Sequence, residues 1–230
     1  MPKPKTLIIL MALFLLAALS FITYEFDGGT QEKVYDEAEA PGGASVRRGV
    51  KPEADAEAVV LEVESGGFSY GRIVVELYPN VAPKMVERFK RLVGEGFYDG
   101  TAFHRVNARA GVVQGGDPNS KDEDPANDGL GGSPYGEVPA EFSDVPFDRG
   151  IVGAARGRQS VDSANSQFYI TLRRVPQWDA QYTAFGKVID GMSNADAIAG
   201  APTRPAPHGE NPAEKIVIKR ATLQPRASFK

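Results

Sequence analysis

Short runs of β-branched and other apolar residues, separated by glycine-bearing turns, constrain the fold of this chain more than any other feature. Two of these runs, residues 58–63 and 72–77, flank a Ser-Gly-Gly turn at 65–67 and predict a β-hairpin. Further short strands are predicted at residues 112–115, 151–155, 167–172, 184–189 and 215–223. Strands of this length, separated by turn residues, are typical of a β-sandwich or a closed barrel.

Two helices are expected beside these strands. The first begins at Pro83, which suits the first turn of a helix, and ends at Gly94 or Gly96. Its apolar residues recur at helical spacing and define one face. The second helix is short and lies near residues 193–198. The stretch 117–139 is rich in Gly, Pro, Asn and Asp, which predicts a long surface loop.

Composition excludes several classes of function. The 230 residues, of which 42% are hydrophobic and 24% charged, suffice for one domain of ordinary size plus some tail. The net charge of -4 leaves no basic footprint, so nucleic acid is not expected as a partner. The chain has no cysteine and two histidines, which excludes disulfides, thiolate nucleophiles and a multi-histidine metal site. We expect no metal, no cofactor and a monomer, since no coiled-coil or repeat pattern is present.

The N-terminus predicts export from the cytoplasm. Lys3 and Lys5 precede an uncharged, mainly apolar run at residues 6–24, and positive charge stays on the cytoplasmic side. At about 1.5 Å per residue this run nearly spans a hydrocarbon core of about 30 Å, which favours a retained anchor. The small residues Ala18 and Ser20 suit a cleaved signal peptide instead. Both alternatives place the rest of the chain in the periplasm or outside the cell, and the membrane is a partner if the segment stays uncleaved.

Residues 25–56 show no apolar period. They are acidic at first, then contain Gly and Pro, and then become basic. Too few large apolar side chains are present to offset the entropy of ordering, so a flexible linker is predicted. The chain thus divides into four parts: a signal peptide or membrane anchor (1–24), this linker (25–56), a folded domain (57–225) and a tail (226–230).

Four short blocks carry the strongest indication of function. They are Phe-His-Arg-Val at 103–106, Val-Gln-Gly-Gly-Asp-Pro at 113–118, Asn-Ser-Gln-Phe-Tyr-Ile at 165–170 and Phe-Gly-Lys-Val at 185–188. One such block is a weak pattern, but the ordered series is specific. It resembles the cyclophilin-type peptidyl-prolyl cis-trans isomerases, including bacterial members. The resemblance implies a mainly β fold, a closed eight-stranded antiparallel barrel capped by two helices, that isomerises X-Pro bonds of exported proteins and so assists their folding.

Prolyl isomerisation needs neither a nucleophile nor a metal. It twists a tertiary amide about a bond with a barrier of roughly 18–20 kcal/mol, and no covalent bond forms or breaks. A catalyst needs an apolar slot for the proline ring and a donor to the amide nitrogen, which becomes basic in the twisted state. The resemblance assigns this donor to Arg105, its positioning to Gln114 and a second pocket-lining glutamine to Gln167. The arginine suits the task because its charge is permanent.

The resemblance places the rest of the substrate slot at six positions: Val112, Ala155, Arg156, Tyr169, Trp178 and Tyr182. The sequence departs from the family here. The spacing between Arg105 and Gln114 is one residue longer than usual, and Gly111 and Val112 replace a Phe-Met pair. Tyr169 replaces a phenylalanine. These departures keep open an alternative function, a proline-binding or chaperone module with weak catalysis.

His104 invites a general-base mechanism in which Asp117 orients the imidazole. We reject that mechanism because the family histidine at this position is structural as a rule. A lone histidine on a strand is also more often part of the scaffold. We therefore expect His104 to contribute to packing and to take no part in proton transfer.

Overall fold

The computed structural model describes residues 36–39 and 44–229. The predicted signal peptide or membrane anchor at residues 1–24 lies outside this range. Among the described residues, no helix combines the length and apolar character needed to cross a bilayer.

Strands dominate the described part of the chain. The strands are β1 (Asp36–Glu39), β2 (Ser45–Arg48), β3 (Glu57–Ser65), β4 (Phe68–Leu77), β5 (Arg105–Asn107), β6 (Val112–Gly115), β7 (Phe142–Ser143), β8 (Ile151–Ala154), β9 (Phe168–Thr171), β10 (Ala184–Asp190) and β11 (Val217–Pro225). The helices are α1 (Pro83–Gly94) and α2 (Met192–Ala199), and short 3-10 turns lie at Pro118–Lys121, Pro176–Trp178 and Arg226–Ser228.

Eight strands form one antiparallel sheet in the order β11-β3-β4-β10-β8-β9-β6-β5. The predicted hairpin is β3–β4, and its turn places Gly66 and Gly67 at positive φ angles of 55° and 83°, a region that suits glycine. Alternate residues of the sheet pack with the apolar faces of both helices into the main core. The mainly β fold, its eight antiparallel strands and its two helices are therefore confirmed.

The predicted closure of the barrel is wrong: the sheet is curled and open, and its edges are β5 and β11. Just before β5, Gly100 N–H donates to Ile218 O at 2.8 Å and Phe103 N–H donates to Ile216 O at 2.9 Å. Within β5, however, Val106 N–H donates to Glu210 O at 2.7 Å. The loop that precedes β11 thus hydrogen-bonds to the edge of β5, a strand of only three residues. No ladder of hydrogen bonds therefore joins the two edge strands β5 and β11.

Part of the predicted linker lies against the domain. Strand β2 pairs antiparallel with β1 and parallel with β7. Val46 and Val50 are buried, 4% and 5% exposed, so apolar contacts offset the ordering of this stretch. The predicted tail behaves similarly, because Phe229 is buried against Ala58, Val60 and Val74. Isolated valines and a single phenylalanine carry no periodic pattern, so the sequence alone predicts a flexible linker at the first place and a tail at the second.

Candidate active site

Strand register brings the first site residues into one row. Arg105 on β5 faces Gln114 on β6, Gln114 faces Tyr169 on β9, and Tyr169 faces Gly153 on β8. Directly opposed residues of antiparallel strands share a face of the sheet. The alternate residues of the same strands, such as Val113, point into the main core. The row therefore lies on the face opposite to the helices.

A chain of side-chain hydrogen bonds links the arginine to both glutamines. Arg105 Nη1 donates to Gln114 Oε1 at 3.4 Å, and Gln114 Nε2 donates to Gln167 Oε1 at 3.0 Å. Gln167 Nε2 then donates to the backbone oxygen of Gly131 at 2.8 Å. Each amide is oriented by its neighbour, since its oxygen accepts on one side and its nitrogen donates on the other. The sequence-predicted polar residues are thus brought together.

Arg105 and Gln114 line an open cleft of about 470 Å³. Its other walls come from two loops that flank the arginine, one at residues 128–129 and one at residues 206–211. Arg105 is half-buried, with 40% of its side chain exposed. A permanent cation therefore lies at the side of an open cleft.

The predicted apolar residues form an aromatic cluster beside the polar row, which is the hydrogen-bonded set of Arg105, Gln114 and Gln167. Tyr169 packs edge-on against Trp178 at a centroid distance of 5.1 Å and against Tyr182 at 5.9 Å, and it stacks on Phe147 at 6.2 Å. Val112 is buried in the same cluster. Aromatic contacts of this geometry are favourable beyond their buried area. Val112 and Tyr169 are buried, whereas Trp178 and Tyr182 are partly exposed, and none of these four residues lines the cleft at Arg105.

Ala155 and Arg156 lie at the border of this cluster. Ala155 packs against its apolar side chains, and its N–H donates to Gln167 O at 2.9 Å. The guanidinium of Arg156 lies 4.5 Å from the ring centroid of Tyr182, a cation–π distance. Its Nη2 donates to Gln181 O at 3.2 Å. The predicted site residues thus lie in the polar row or in and around the aromatic cluster. Of these residues, Arg105 and Gln114 line the cleft and the others do not.

His104 and Asp117 do not form the general-base pair that the sequence invites. His104 is 5% exposed, and its ring nitrogens have no hydrogen-bond partner among the described residues. The carboxylate of Asp117 instead accepts backbone N–H groups, from Asn119 at 2.8 Å and from Gly129 and Gly131. Burial lowers the pKa of His104. The geometry agrees with a packing role for the histidine.

Glu210 is the site neighbour that sequence reasoning missed. Its carboxylate accepts from Arg105 Nε at 2.5 Å and from Asn107 Nδ2. No local pattern connects it with Arg105, because the two residues are 105 positions apart. Phe147 was missed for a similar reason, since it lies outside the predicted strands and comes to Tyr169 only through the fold.

Comparison with known proteins identifies this arrangement. A family model described as "Cyclophilin type peptidyl-prolyl cis-trans isomerase/CLD" matches residues 59–223. A probable peptidyl-prolyl cis-trans isomerase of Brucella suis is 46% identical over 144 residues, which cover 61% of this chain and 70% of that protein. The chain belongs to the cyclophilin family of peptidyl-prolyl cis-trans isomerases.

Other cyclophilins support the same assignment. A peptidyl-prolyl cis-trans isomerase of Schizosaccharomyces pombe is 40% identical over 132 residues, which cover 54% of this chain and 77% of that protein. The crystal structure of a cyclophilin-type isomerase of Cryptosporidium parvum superposes with a TM-score of 0.63 at 29% identity, over 73% of this chain and 97% of that one. The same Cryptosporidium protein has been crystallised in the presence of the dipeptide Ala-Pro.

Tyr169, which stands where the resemblance implies a phenylalanine, provides the first test of this cyclophilin site. Its hydroxyl is buried without a hydrogen-bond partner among the described residues, and burial raises the pKa of the phenol. Because an unsatisfied buried hydroxyl costs about 1–3 kcal/mol, we expect Tyr169→Phe to raise the free energy of unfolding by about 1 kcal/mol. Urea denaturation of the two proteins measures this difference.

Tyr98→Phe is the matched control for that substitution. Tyr98 is also buried, but its hydroxyl donates to Ser166 O at 2.9 Å. Removing it leaves that carbonyl without its donor, so we expect a loss of about 1 kcal/mol. Equal effects of the two substitutions would contradict the assignment of an unsatisfied hydroxyl to Tyr169.

The buried histidine predicts how this cyclophilin responds to pH. Because the pKa of His104 is lowered in the folded state, its contribution to stability is complete above about pH 6.5 and is lost as the pH falls towards the folded-state value. We expect isomerase activity to stay flat from about pH 7 to 8.5. Below about pH 6.5, the free energy of unfolding of the wild type should fall relative to His104→Gln. A His-like step in activity near neutral pH would restore the general-base mechanism.

Proposed function

We propose that this cyclophilin isomerises X-Pro bonds of exported polypeptides on the outer side of the cytoplasmic membrane, with Arg105 as the hydrogen-bond donor to the prolyl amide. Proline-containing peptides are the substrates of its family. The polar row supports the residue assignment, since Arg105 is held in the cleft by Gln114, which Gln167 orients in turn. That hydrogen-bonded row is the observation that carries the proposed mechanism.

The mechanism follows from the electronic change during amide rotation. As the X-Pro bond twists, resonance is lost and the lone pair of the nitrogen becomes available. A donor that waits in a fixed position near this nitrogen stabilises the twisted state more than the planar ground state. Arg105 carries such donors on a guanidinium that stays charged at every physiological pH. No proton is transferred, so no residue of the site has to titrate.

The aromatic cluster serves as the apolar side of the substrate site in this proposal. Ala155, Trp178 and Tyr182 are partly buried and pack against the buried Val112 and Tyr169, so these three side chains would provide the apolar contact. A proline ring that packs there loses contact with water and brings its amide towards Arg105. Arg156 borders Tyr182, and the resemblance to other cyclophilins assigns its main chain to contact with the substrate backbone.

Export is supported by the sequence pattern of residues 6–24 and the lysines before it. To test it, the full chain with a C-terminal epitope is produced in a Gram-negative bacterium and compared with a variant that lacks residues 6–24. We expect the full chain in the membrane or periplasmic fraction, and its epitope open to protease in spheroplasts. The shortened variant should stay protected in the cytoplasm.

The same experiment separates the two forms of export. An N-terminus that begins after Ser20 in the mature protein indicates a cleaved signal peptide, whereas an intact chain in the membrane pellet indicates an anchor. If the epitope of the full chain were protected from protease in spheroplasts and the protein lay in the cytosolic fraction, the proposal of an exported enzyme would be wrong. That result would leave the isomerase assignment untouched.

A further inference from the structure

The loop between α2 and β11 carries Glu210 to the edge of the active site. The backbone oxygen of Glu210 accepts from Val106 N–H at 2.7 Å, next to Arg105 on β5. The adjacent Asn211 donates through Nδ2 to Asp128 Oδ2 at 2.9 Å, on the opposite loop of the cleft. The contacts of the loop thus fix the position of Glu210 independently of its side chain.

The carboxylate of Glu210 bridges two side chains of β5. One oxygen accepts from Arg105 Nε, and the other accepts from Asn107 Nδ2. Asn107 is itself held, because its Oδ1 accepts from Ala110 N–H at 2.7 Å. The bridge therefore joins the arginine to a rigid hairpin end, and the hydrogen bond to Arg105 lowers the pKa of the Glu210 carboxyl.

The guanidinium of Arg105 is consequently held along two edges. Glu210 takes the Nε–H, and Gln114 takes one N–H of Nη1. A guanidinium has five N–H donors in a fixed plane. The Nη2 group makes no hydrogen bond among the described residues, so its donors remain for a substrate. With the hydrogen bond to Gln114 alone, the plane of the Arg105 guanidinium could rotate about that one contact.

Stability does not explain this contact. The side chains of Arg105 and Glu210 are 40% and 45% exposed, and an exposed ion pair contributes at most about 1 kcal/mol. A carboxylate accepts hydrogen bonds and donates none, so Glu210 cannot itself serve the prolyl nitrogen. Its contact with Arg105 is therefore the one through which it can act on the prolyl nitrogen.

We propose that Glu210 is a positioning residue, which together with Gln114 fixes the plane of the Arg105 guanidinium for donation to the twisted amide. This inference rests on the proposed role of Arg105. It predicts that loss of the carboxylate lowers kcat while the affinity for substrate stays nearly unchanged, because the apolar surface that holds the proline ring is untouched.

The test measures cis-to-trans isomerisation of a proline tetrapeptide by the full chain in mild detergent. We expect Glu210→Ala to lower kcat about tenfold, because misplacement of a catalytic group by about 1 Å can cost ~10²-fold, and to leave KM within about twofold. Glu210→Gln, whose amide oxygen can still accept from Arg105 Nε, should recover part of the loss. Glu214→Ala, an exposed carboxylate of the same loop region, is the matched control and should keep wild-type kcat.

A double mutant separates positioning from a general structural effect. In the Arg105→Ala background, Glu210→Ala should cause no further loss of the residual activity, because its effect needs the arginine. An equal loss in both backgrounds would overturn the proposal, as would unchanged kcat in Glu210→Ala. Faster turnover of Glu210→Ala would also overturn it and would make the loop at 206–211 an obstruction of the cleft. An inactive wild type would instead refute the mechanism proposed for the arginine, a result distinct from all of these.

Discussion

Arg105→Ala is expected to lower kcat/KM for cis-to-trans isomerisation by at least about a hundredfold, since removal of one preorganised donor to a developing charge typically costs about 10²–10³-fold. Arg105 is the only cation among the residues that line the cleft. Arg105→Lys should not restore the rate, because an ammonium cannot keep both the Glu210 and the Gln114 contacts in one plane. A protease-coupled or NMR exchange assay of a proline tetrapeptide measures both variants.

Folding controls make this result interpretable. The exposed pair between Arg105 and Glu210 contributes at most about 1 kcal/mol, so Arg105→Ala should unfold at nearly the wild-type urea concentration. Arg109→Ala, an exposed arginine of the same hairpin, should retain full activity. If Arg105→Ala stayed fully active, the donor would have to be another group. If the folded wild type bound proline peptides without accelerating their isomerisation, the weakly catalytic binding module would replace the proposed mechanism.

The local parts of the fold follow from sequence periodicity. The hairpin β3–β4 arises from two β-branched apolar runs that flank a glycine turn, and helix α1 arises from apolar residues at helical spacing over twelve residues. Strand β5 was not predicted as a strand because three residues define no period. It forms because β6 pairs with it, so its existence depends on tertiary context.

Contacts that join distant segments could not be read from the chain. Helix α1 has no side-chain cap of its own at Ala82. Glu141 supplies it from 56 residues away, by accepting from Lys84 N–H at 3.0 Å and Met85 N–H at 2.9 Å. Such partners are set by the route of the loops, which no local pattern records. The resemblance supplied Arg105, Gln114 and Gln167 because a family motif carries long-range information that composition lacks. Closure of the sheet came from the resemblance alone, and the edge of β5 contradicts it.

Gly153→Ala is expected to destabilise the domain by about 1–3 kcal/mol, the usual cost of overpacking a buried site. A Cβ at this position would lie 2.4 Å from Tyr169 Cζ and 2.5 Å from its hydroxyl oxygen. The ring cannot easily move away, because Phe147, Trp178 and Tyr182 pack around it. Any shift of Tyr169 also disturbs Gln114, its partner on the neighbouring strand β6. We therefore expect kcat/KM to fall together with the free energy of unfolding. Urea denaturation and the isomerase assay measure the two effects.

Two comparisons show whether the tyrosine ring is the cause. At Gly94, near the end of α1, an added Cβ meets nothing within 4 Å, so Gly94→Ala should be neutral or stabilising by up to about 1 kcal/mol. In a Tyr169→Ala background the clash is absent, and Gly153→Ala should then cost at least about 1 kcal/mol less than in the wild type. The same cost in both backgrounds would mean that glycine is needed at 153 for its backbone rather than for the ring above it. The packing of Tyr169 would then not determine the position of Gln114 on the neighbouring strand.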